Sequence, residues 1–267
     1  MTQLSVAAVA VATCVFLTGC AGTTDRNDTS TWSPDRIYQE ARDELEAGNT
    51  DKAAVLFEKL EGRAAGTPLA QQAQLERAYM HYKAREQAQA LAVIDRFMRL
   101  HPASEAYDYA LYLRGLVNFN DNLGLFGFLG DQDLSERDQK AAKDSYESFK
   151  ELTVRFPKSK YADDARQRMS YIVNALSQAE VNVARYYVKR GVWLAAINRA
   201  QTAIADYPGA PAQEEALAIL AQSYDAMGMT ALRDDSLRVL RSNYPKSEFL
   251  GNPSARVKSQ SPWWKLW

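Results

Sequence analysis

Apolar residues recur at helical spacing along almost the whole chain after Pro34, and segments that alternate strictly between apolar and polar residues are nearly absent. A spacing of about 3.6 residues predicts amphipathic helices, whereas half-buried strands would alternate at every second residue. One long apolar run precedes this body, at residues 4–17, and it is too short to span a bilayer comfortably. The pattern therefore predicts an all-α protein with a short apolar leader.

The helical pattern is repeated along the chain. Prolines that follow an aromatic residue or a histidine recur at Pro102, Pro157, Pro208 and Pro245, and three of them continue as Pro-x-Ser. Proline ends one helix, and serine can cap the next. The unit is about 34 residues long, with small residues on its first helix and a glycine in the turn, which resembles the tetratricopeptide repeat. Five units are predicted, at residues 34–68, 69–102, 103–157, 158–208 and 209–245.

Two of these units are enlarged. The third contains an insertion at residues 119–136, and its glycine-spaced apolar run 123–130 could pack under a neighbouring repeat or contact a partner or lipid. The fourth opens with residues 160–190, which contain no proline or glycine and therefore predict one long helix. The predicted fold is a superhelical solenoid of about five helix-turn-helix repeats over residues 34–249.

The N-terminus carries a candidate lipid-attachment motif. The apolar run ends in Leu17-Thr18-Gly19-Cys20, which resembles the lipobox of bacterial lipoproteins, although residues 1–3 lack the usual Lys or Arg. The interpretation is a signal peptide at residues 1–19, followed by Cys20 carrying S-diacylglycerol and an N-acyl chain. Residues 20–33 form a polar, flexible tether, and Ala21 implies sorting to the outer membrane rather than retention at the inner one.

Composition restricts the possible functions. The formal net charge is −1, which argues against nucleic-acid binding because such proteins carry a basic excess. The only cysteines are Cys14 and Cys20, so the folded body has no disulfide or cysteine-based zinc site. The two histidines are isolated, which argues against a metal site, and no nucleophile elbow, zinc-protease or dinucleotide motif is present. We therefore expect a binding protein with no catalytic residues and no cofactor other than the lipid on Cys20.

Aromatic residues indicate a candidate peptide-binding groove. In this repeat the first helix of each pair lines the inner surface, and tyrosine offers a large contact area at low entropy cost. The aromatic residues that the repeat register places there are Tyr38, Tyr79, Tyr82, Tyr109, Tyr112 and Phe119. The alternative is that several of these side chains form the core between repeats.

Two further features are candidate interfaces with partners. Arg185, Lys189 and Arg190 lie close together on the fourth-unit helix, where they form either a solvated face or a site for an acidic partner surface. The tail at residues 250–267 contains Trp263, Trp264 and Trp267. These tryptophans are expected to pack on the last repeat, on a partner or in the membrane interface.

The segment Val183-Ala184-Arg185-Tyr186-Tyr187-Val188-Lys189-Arg190-Gly191, followed by Ala195-Ala196-Ile197-Asn198-Arg199, carries a family resemblance. Together with the lipobox and repeats, it is similar to the BamD (ComL, YfiO) family of outer-membrane assembly lipoproteins, from about Cys20 to Pro245. The resemblance implies a lipid-anchored scaffold that faces the periplasm. Its implied partners are the POTRA domains of a BamA-like β-barrel insertase, other lipoproteins of that complex and the C-terminal segments of unfolded outer-membrane proteins. Arg199 joins the interface candidates.

Two other functions are compatible with the same fold. One is a lipoprotein adaptor for another envelope system, such as a secretin pilotin or a cell-division factor. The other is a cell-wall enzyme or peptidoglycan-binding module. The enzyme would require converging acid and base groups, and adjacent carboxylates such as Asp163 and Asp164 point in different directions on a helix.

Overall fold

The computed structural model describes residues 29–119 and 136–251. Within these ranges the regular elements are ten α-helices and one 3-10 helix, with no strand. The helices are α1 (Pro34–Glu46), α2 (Thr50–Arg63), α3 (Pro68–Lys83), α4 (Gln87–Leu100), α5 (Tyr107–Asn118), α6 (Glu136–Arg155), α7 (Ala162–Lys189), α8 (Trp193–Ala205), α9 (Gln213–Ala226) and α10 (Thr230–Asn243), followed by the 3-10 helix Glu248–Leu250. The predicted all-α fold of five helix-turn-helix repeats is confirmed.

The helix pairs share one turn geometry. A residue with left-handed backbone precedes the second helix in four pairs: Gly48 (φ 83°), Arg85 (φ 61°), Gly191 (φ 70°) and Gly228 (φ 71°). Glycine adopts this conformation without steric cost, which explains three of the four turns. The long helix predicted in the fourth unit is α7, with 28 residues. At a rise of about 1.5 Å per residue it extends over about 42 Å.

The repeated Pro-x-Ser pattern stabilises the start of the following element. The hydroxyl oxygens of Ser104, Ser159 and Ser247 each accept a hydrogen bond from the backbone N–H two residues later, at 3.2, 3.2 and 3.3 Å. The serines therefore cap a turn that leads into α5, α7 and the 3-10 helix.

The helices fall into two compact units, one ending at Gln74 and one beginning at Leu75. In the first unit, α1 packs on α2 through Ile37, Ala41, Ala53, Phe57 and Leu60, all of which are fully buried. The Arg63 guanidinium donates to the backbone carbonyl of Trp32 at 3.0 Å and also to that of Thr29. The structure therefore places the last part of the predicted tether against α2.

The second unit is built from apolar clusters that each join successive helices. Leu75, Ala78, Ile94, Phe97, Ala110 and Leu113 join the end of α3 to α4 and α5. The next clusters connect α5, α6 and α7, then α7, α8 and α9, and finally α9, α10 and the 3-10 helix. Such nearest-neighbour packing is typical of repeat proteins. Of the helices described, none is both long enough and apolar enough to cross a membrane.

Candidate functional site

A continuous series of aromatic contacts connects α5, α6 and the N-terminal half of α7. We call its six residues, Tyr109, Tyr112, Phe119, Phe149, Tyr161 and Tyr171, the aromatic strip. Successive ring centroids are 5.4 Å apart for Tyr109–Tyr161, 4.6 Å for Tyr161–Tyr112, 6.0 Å for Tyr112–Phe149, 6.3 Å for Phe149–Phe119 and 5.6 Å for Phe119–Tyr171. These spacings lie in the range of favourable aromatic pairs. Phe149 is fully buried, whereas the other five rings are half-buried and keep part of their surface exposed.

Local sequence explains how the strip forms. Tyr109 and Tyr112 are three residues apart on α5, so they share one helix face. The close approach of α6 depends on Gly115, because a Cβ atom there would lie 2.4 Å from Cε1 of Phe149. The buried Ser145 hydroxyl donates to the Gly115 carbonyl at 2.9 Å and fixes the same contact.

The loop before α7 places Tyr161 in the strip. The Ser159 hydroxyl donates to Oδ2 of Asp108 at 2.6 Å and accepts from the backbone N–H of Tyr161 at 3.2 Å. These two bonds tie the loop to α5, and the Tyr161 ring then stacks on Tyr112 with an interplanar angle of 16°. The Lys160 ammonium lies 5.0 Å from the centroid of the Tyr161 ring, within the range of a cation–π contact.

One carboxylate organises the polar edge of the strip. Asp164 accepts hydrogen bonds from the Tyr112 hydroxyl at 2.7 Å and from Nε of Arg168 at 2.6 Å, and Arg168 also lies 4.7 Å from the Phe119 ring centroid. Burial alone would raise the pKa of Asp164, but the bonds from Arg168 and Tyr112 lower it below its usual value. Burial, reinforced by the bond to Asp164, raises the pKa of Tyr112 to about 12. Both groups therefore keep fixed charge states at neutral pH.

A second tyrosine pair lies on α3. The ring centroids of Tyr79 and Tyr82 are 6.1 Å apart, and Tyr79 is 37% exposed. Burial raises the pKa of Tyr109 well above its usual value, and the neighbouring Glu76, Tyr161 and Tyr79 add to the effect. Tyr79 thus lies close enough to Tyr109 to influence its ionisation, so the pair adjoins the strip.

The six predicted groove residues are distributed between the two units. Tyr38 belongs to the first unit, where its ring packs on Phe57 at 6.0 Å and its hydroxyl accepts from Nε2 of Gln72 at 2.5 Å. The other five belong to the second unit, and Tyr109, Tyr112 and Phe119 are brought together in the strip. These three also pack against the core clusters between repeats. The same rings therefore serve the packing between repeats and present an exposed aromatic face.

Sequence reasoning missed Tyr161, Tyr171 and Arg168 as members of this site. The candidates that the sequence indicates on the long helix of the fourth repeat, Arg185, Lys189 and Arg190, lie at its C-terminal end, whereas the three missed residues lie at or near its start. The available signal was the Phe156-Pro157-Lys158-Ser159-Lys160-Tyr161 pattern, which begins the same helix.

The predicted cationic interface has two kinds of residue. Arg185 donates to both carboxylate oxygens of Glu215 at 2.7 and 2.6 Å, a two-bond pair that joins α7 to α9. Nη1 of Arg199 pairs with Oε2 of Glu180 at 3.1 Å, and that glutamate side chain is only 8% exposed. Lys189 and Arg190 are exposed at the end of α7, where Arg190 lies 5.2 Å from the Tyr186 ring centroid. The first two arginines hold helices together, and the last two face solvent.

Several predictions lie outside the described residues. These are the signal peptide at residues 1–19, the lipid on Cys20, the first part of the tether, the apolar run 123–130 and the tail tryptophans Trp263, Trp264 and Trp267. Across the ranges that are described, no group of three or more His, Cys, Asp or Glu side chains is arranged to hold a metal ion.

Comparison with known proteins places this geometry in a family context. Residues 31–240 match the family described as "YfiO: Outer membrane lipoprotein". The chain is 48% identical to "Outer membrane protein assembly factor BamD" of Neisseria meningitidis serogroup B (strain ATCC BAA-335 / MC58), over 94% of this chain and 95% of that protein. The protein of the same name from Xylella fastidiosa (strain Temecula1 / ATCC 700964) is 35% identical over 91% of this chain and 83% of its own length. That of Vibrio cholerae serotype O1 is 33% identical over 79% and 87%.

Proposed function

Because the chain belongs to the YfiO family of outer membrane lipoproteins, we propose that it is a non-catalytic assembly factor for outer membrane proteins. The family match covers most of the helical body, and curated relatives that align over most of the chain are named outer membrane protein assembly factors. A repeat scaffold with exposed aromatic and charged faces suits the binding of several chains at once.

The proposed substrate site is the aromatic strip, together with Tyr79 and Tyr82. Its ligand is the C-terminal segment of an unfolded outer membrane protein, an extended chain that ends in an aromatic residue. Stacking on half-buried rings recognises aromatic side chains, and the nearby cations Lys160 and Arg168 suit a terminal carboxylate. The observation that supports this function best is the series of ring contacts from Tyr109 to Tyr171, in which five partly exposed rings surround the buried Phe149.

The test is binding of a fluorescent peptide whose apolar and polar residues alternate and which ends in a free Phe. We expect Tyr161→Ala to weaken binding by about tenfold, because an aromatic pair contributes roughly 0.5–1.5 kcal/mol. Lys160→Gln should weaken binding of the free acid but not of the C-terminal amide. The matched control is Tyr186→Ala, since Tyr186 is an exposed tyrosine on α7 that is distant in sequence from Tyr161. Equal affinities for all three variants and the wild type would contradict the proposed site.

The proposed insertase site lies at the C-terminal end of α7. Lys189 and Arg190 are exposed there, while Arg185 and Arg199 fix α7 against α9 and α8 through their ion pairs. An exposed basic surface on a rigid repeat suits an acidic surface of the insertase's POTRA domains.

A binding assay with the isolated POTRA domains tests this interface. Lys189→Glu combined with Arg190→Glu should weaken binding at least about tenfold through like-charge repulsion. Arg238→Glu is the matched control, because Arg238 is an exposed arginine on α10 with a side chain that is 71% accessible. Unchanged affinity for the double variant would exclude this surface as the insertase site.

We also propose that Cys20 carries the lipid and that the repeats face the periplasm, where other lipoproteins of the assembly complex bind. The Cys20→Ala variant should fold normally and leave the membrane fraction in a high-salt wash. If it stays in that fraction without its partners, the anchor is not the lipid on Cys20.

A further inference from the structure

The turns of the last two repeats expose an apolar surface. Five large apolar side chains there are between 38% and 61% exposed: Val192, Leu194, Met227, Met229 and Leu232. We call them the turn patch. Val192 immediately precedes α8, and Leu194 lies in its first turn. Met227 and Met229 lie in the turn after α9, and Leu232 lies in the first turn of α10.

Helix packing places these residues at one edge of the second unit. α9 contacts α8 and α10, and Nε2 of Gln201 donates to the Tyr224 hydroxyl at 3.0 Å. Tyr224 also packs in one cluster with Ala196 and Ile197 near the start of α8. The end of α9 therefore lies beside the start of α8, which brings the two turns together.

The backbone of these turns does not require apolar residues. The residue before the second helix is Asn49 (φ −84°, ψ 63°) in the first repeat and Glu86 (φ −90°, ψ 69°) in the second. In the fourth and fifth repeats it is Val192 (φ −91°, ψ 70°) and Met229 (φ −87°, ψ 66°). The conformation is the same, so the change from polar to apolar is not imposed by the turn. Large exposed apolar side chains gathered at one edge of the fold are typical of a surface that another segment covers.

The chain itself contains a segment with matching chemistry. Residues 263–267 read Trp-Trp-Lys-Leu-Trp, and four of these five side chains are large and apolar. The chain leaves the last repeat at Gly251, after Phe249 is buried among Leu217, Ala218 and Leu240. These contacts involve the start of α9 and the end of α10. They therefore lie at the opposite end of this helix pair from its turn, which carries part of the turn patch.

The distance from this exit point to the patch is within reach of the tail. The 14 residues of α10 extend over about 21 Å at a rise of about 1.5 Å per residue. The residues between Gly251 and Trp263 can span up to about 40 Å when extended, so the tail can return along the last repeat. A tethered segment also has an effective concentration far above that of a free partner.

We infer that the tryptophan-rich tail, residues 263–267, docks on the turn patch of its own chain. Trp263, Trp264 and Trp267 cover Val192, Leu194, Met227, Met229 and Leu232, which removes apolar surface of both segments from water. This contact does not depend on the proposed assembly function.

Disulfide trapping tests the contact directly, because the chain after Cys20 contains no cysteine. The mature chain with Cys20→Ala, in buffer without lipid, receives Leu266→Cys, which keeps all three tail tryptophans, and Met229→Cys. The matched control pairs Leu266→Cys with Val154→Cys, since Val154 is an apolar residue that is 72% exposed on α6. A disulfide requires Cα atoms within about 7 Å, so we expect at least about fivefold more intramolecular crosslink for the Met229 pair.

A second measurement uses the tryptophans themselves. Leu194→Asp combined with Leu232→Asp should increase the quenching of tail tryptophans by acrylamide in a Trp32→Phe, Trp193→Phe background. Circular dichroism checks that the variants keep their helical content. Equal crosslinking of the two pairs, or quenching unaffected by the Asp substitutions, would overturn the inference. So would crosslinks formed only between molecules, which indicate a second copy, or protection of the tryptophans only with phosphatidylethanolamine–phosphatidylglycerol vesicles, which indicates the membrane.

Discussion

The two halves of α7 are held by different chemistry. The N-terminal half and the residue that precedes it pack through aromatic rings: Tyr161, just before α7, stacks on Tyr112, and Tyr171 packs against Phe119. The C-terminal half packs through small side chains, Ala184, Ala196 and Ala200, and through the ion pairs Arg185–Glu215 and Glu180–Arg199. Aromatic contacts leave ring surface exposed to a ligand. Ion pairs between helices instead fix how the helices are aligned, and they occupy N–H groups of the arginine side chains. One helix thus combines a partly exposed aromatic face with a rigid, ion-paired support.

The largest effect is expected from removing the centre of the aromatic half. Phe149→Ala should lower the free energy of unfolding by about 3–5 kcal/mol, because Phe149 is fully buried and its loss leaves a cavity. Urea unfolding measures the change. Val154→Ala on the same helix serves as control and should cost little, since Val154 faces solvent. A loss below about 1 kcal/mol for Phe149→Ala would mean that the ring is not central to the packing.

Gly115→Ala should have the next largest effect, because overpacking lowers the free energy of unfolding by about 1–3 kcal/mol. The added Cβ would overlap the Phe149 ring, with its nearest atom at 2.4 Å. The double variant Gly115→Ala with Phe149→Leu should be more stable than the sum of the single effects, because the smaller side chain makes room. Strict additivity in thermal or urea unfolding would show that the two residues are not in contact.

Alkaline pH should weaken the aromatic half. Folding raises the pKa of Tyr112 from 10.0 to about 12, so the folded state holds this proton more tightly than the unfolded chain. The stability that this pKa difference provides is fully present below the pKa of the unfolded state and is lost as the pH rises through about 12. We expect the urea midpoint of the wild type to fall more between pH 8 and pH 11 than that of Tyr112→Phe. Tyr186→Phe, which alters an exposed tyrosine on α7, should behave like the wild type.

In the ion-paired half, Arg185→Ala should lower the free energy of unfolding by only about 1 kcal/mol. The reason is that the Arg185 side chain is 39% exposed, so water partly screens its ion pair. Arg185→Lys should recover only part of the loss because lysine cannot make the two-bond contact. The dependence of stability on salt concentration should distinguish the two halves of α7. High salt should reduce the difference between Arg185→Ala and the wild type, but leave the effect of Phe149→Ala unchanged. A salt-independent Arg185 effect would attribute the loss to packing instead.

The smallest expected effect lies in a turn outside both halves. Arg85 adopts φ 61° where the equivalent turns have glycine. A left-handed residue costs about 1–2 kcal/mol and the extra freedom of unfolded glycine about 0.5–1 kcal/mol, so Arg85→Gly should stabilise the protein by about 0.5 kcal/mol. A rise in melting temperature of a few degrees or less would agree, whereas a fall would mean that the Arg85 side chain contributes to stability.

The helical periodicity and the positions of the prolines predicted more of the fold than of the candidate site. Helical spacing and the prolines Pro102, Pro157 and Pro245, each two residues after a helix end, were sufficient to predict paired helices. These signals act between residues that are close together in the chain. Of the site, Tyr109 and Tyr112 were predicted from repeat register, since three positions on one helix share a face. Tyr161 was missed because it meets Tyr112 only after α6 and the loop at Ser159 are in place. The sequence predicts Arg185 as part of a solvated face or of a partner site, and it gives no signal for the ion pair with Glu215 that the structure shows.

The sequence by itself determined the helical class, the five repeats and the long fourth-repeat helix, because each depends on residues close together in the chain. The lipobox-like motif around Cys20 is equally local, and lipidation at Cys20 stays a prediction. Only the tertiary structure decided which rings stack and which charges pair. The Tyr112–Asp164 bond joins residues 52 positions apart, and Arg185 and Glu215 are 30 apart. Such contacts depend on how whole helices are rotated and spaced against each other, and a shift of one residue would move every side chain to another face.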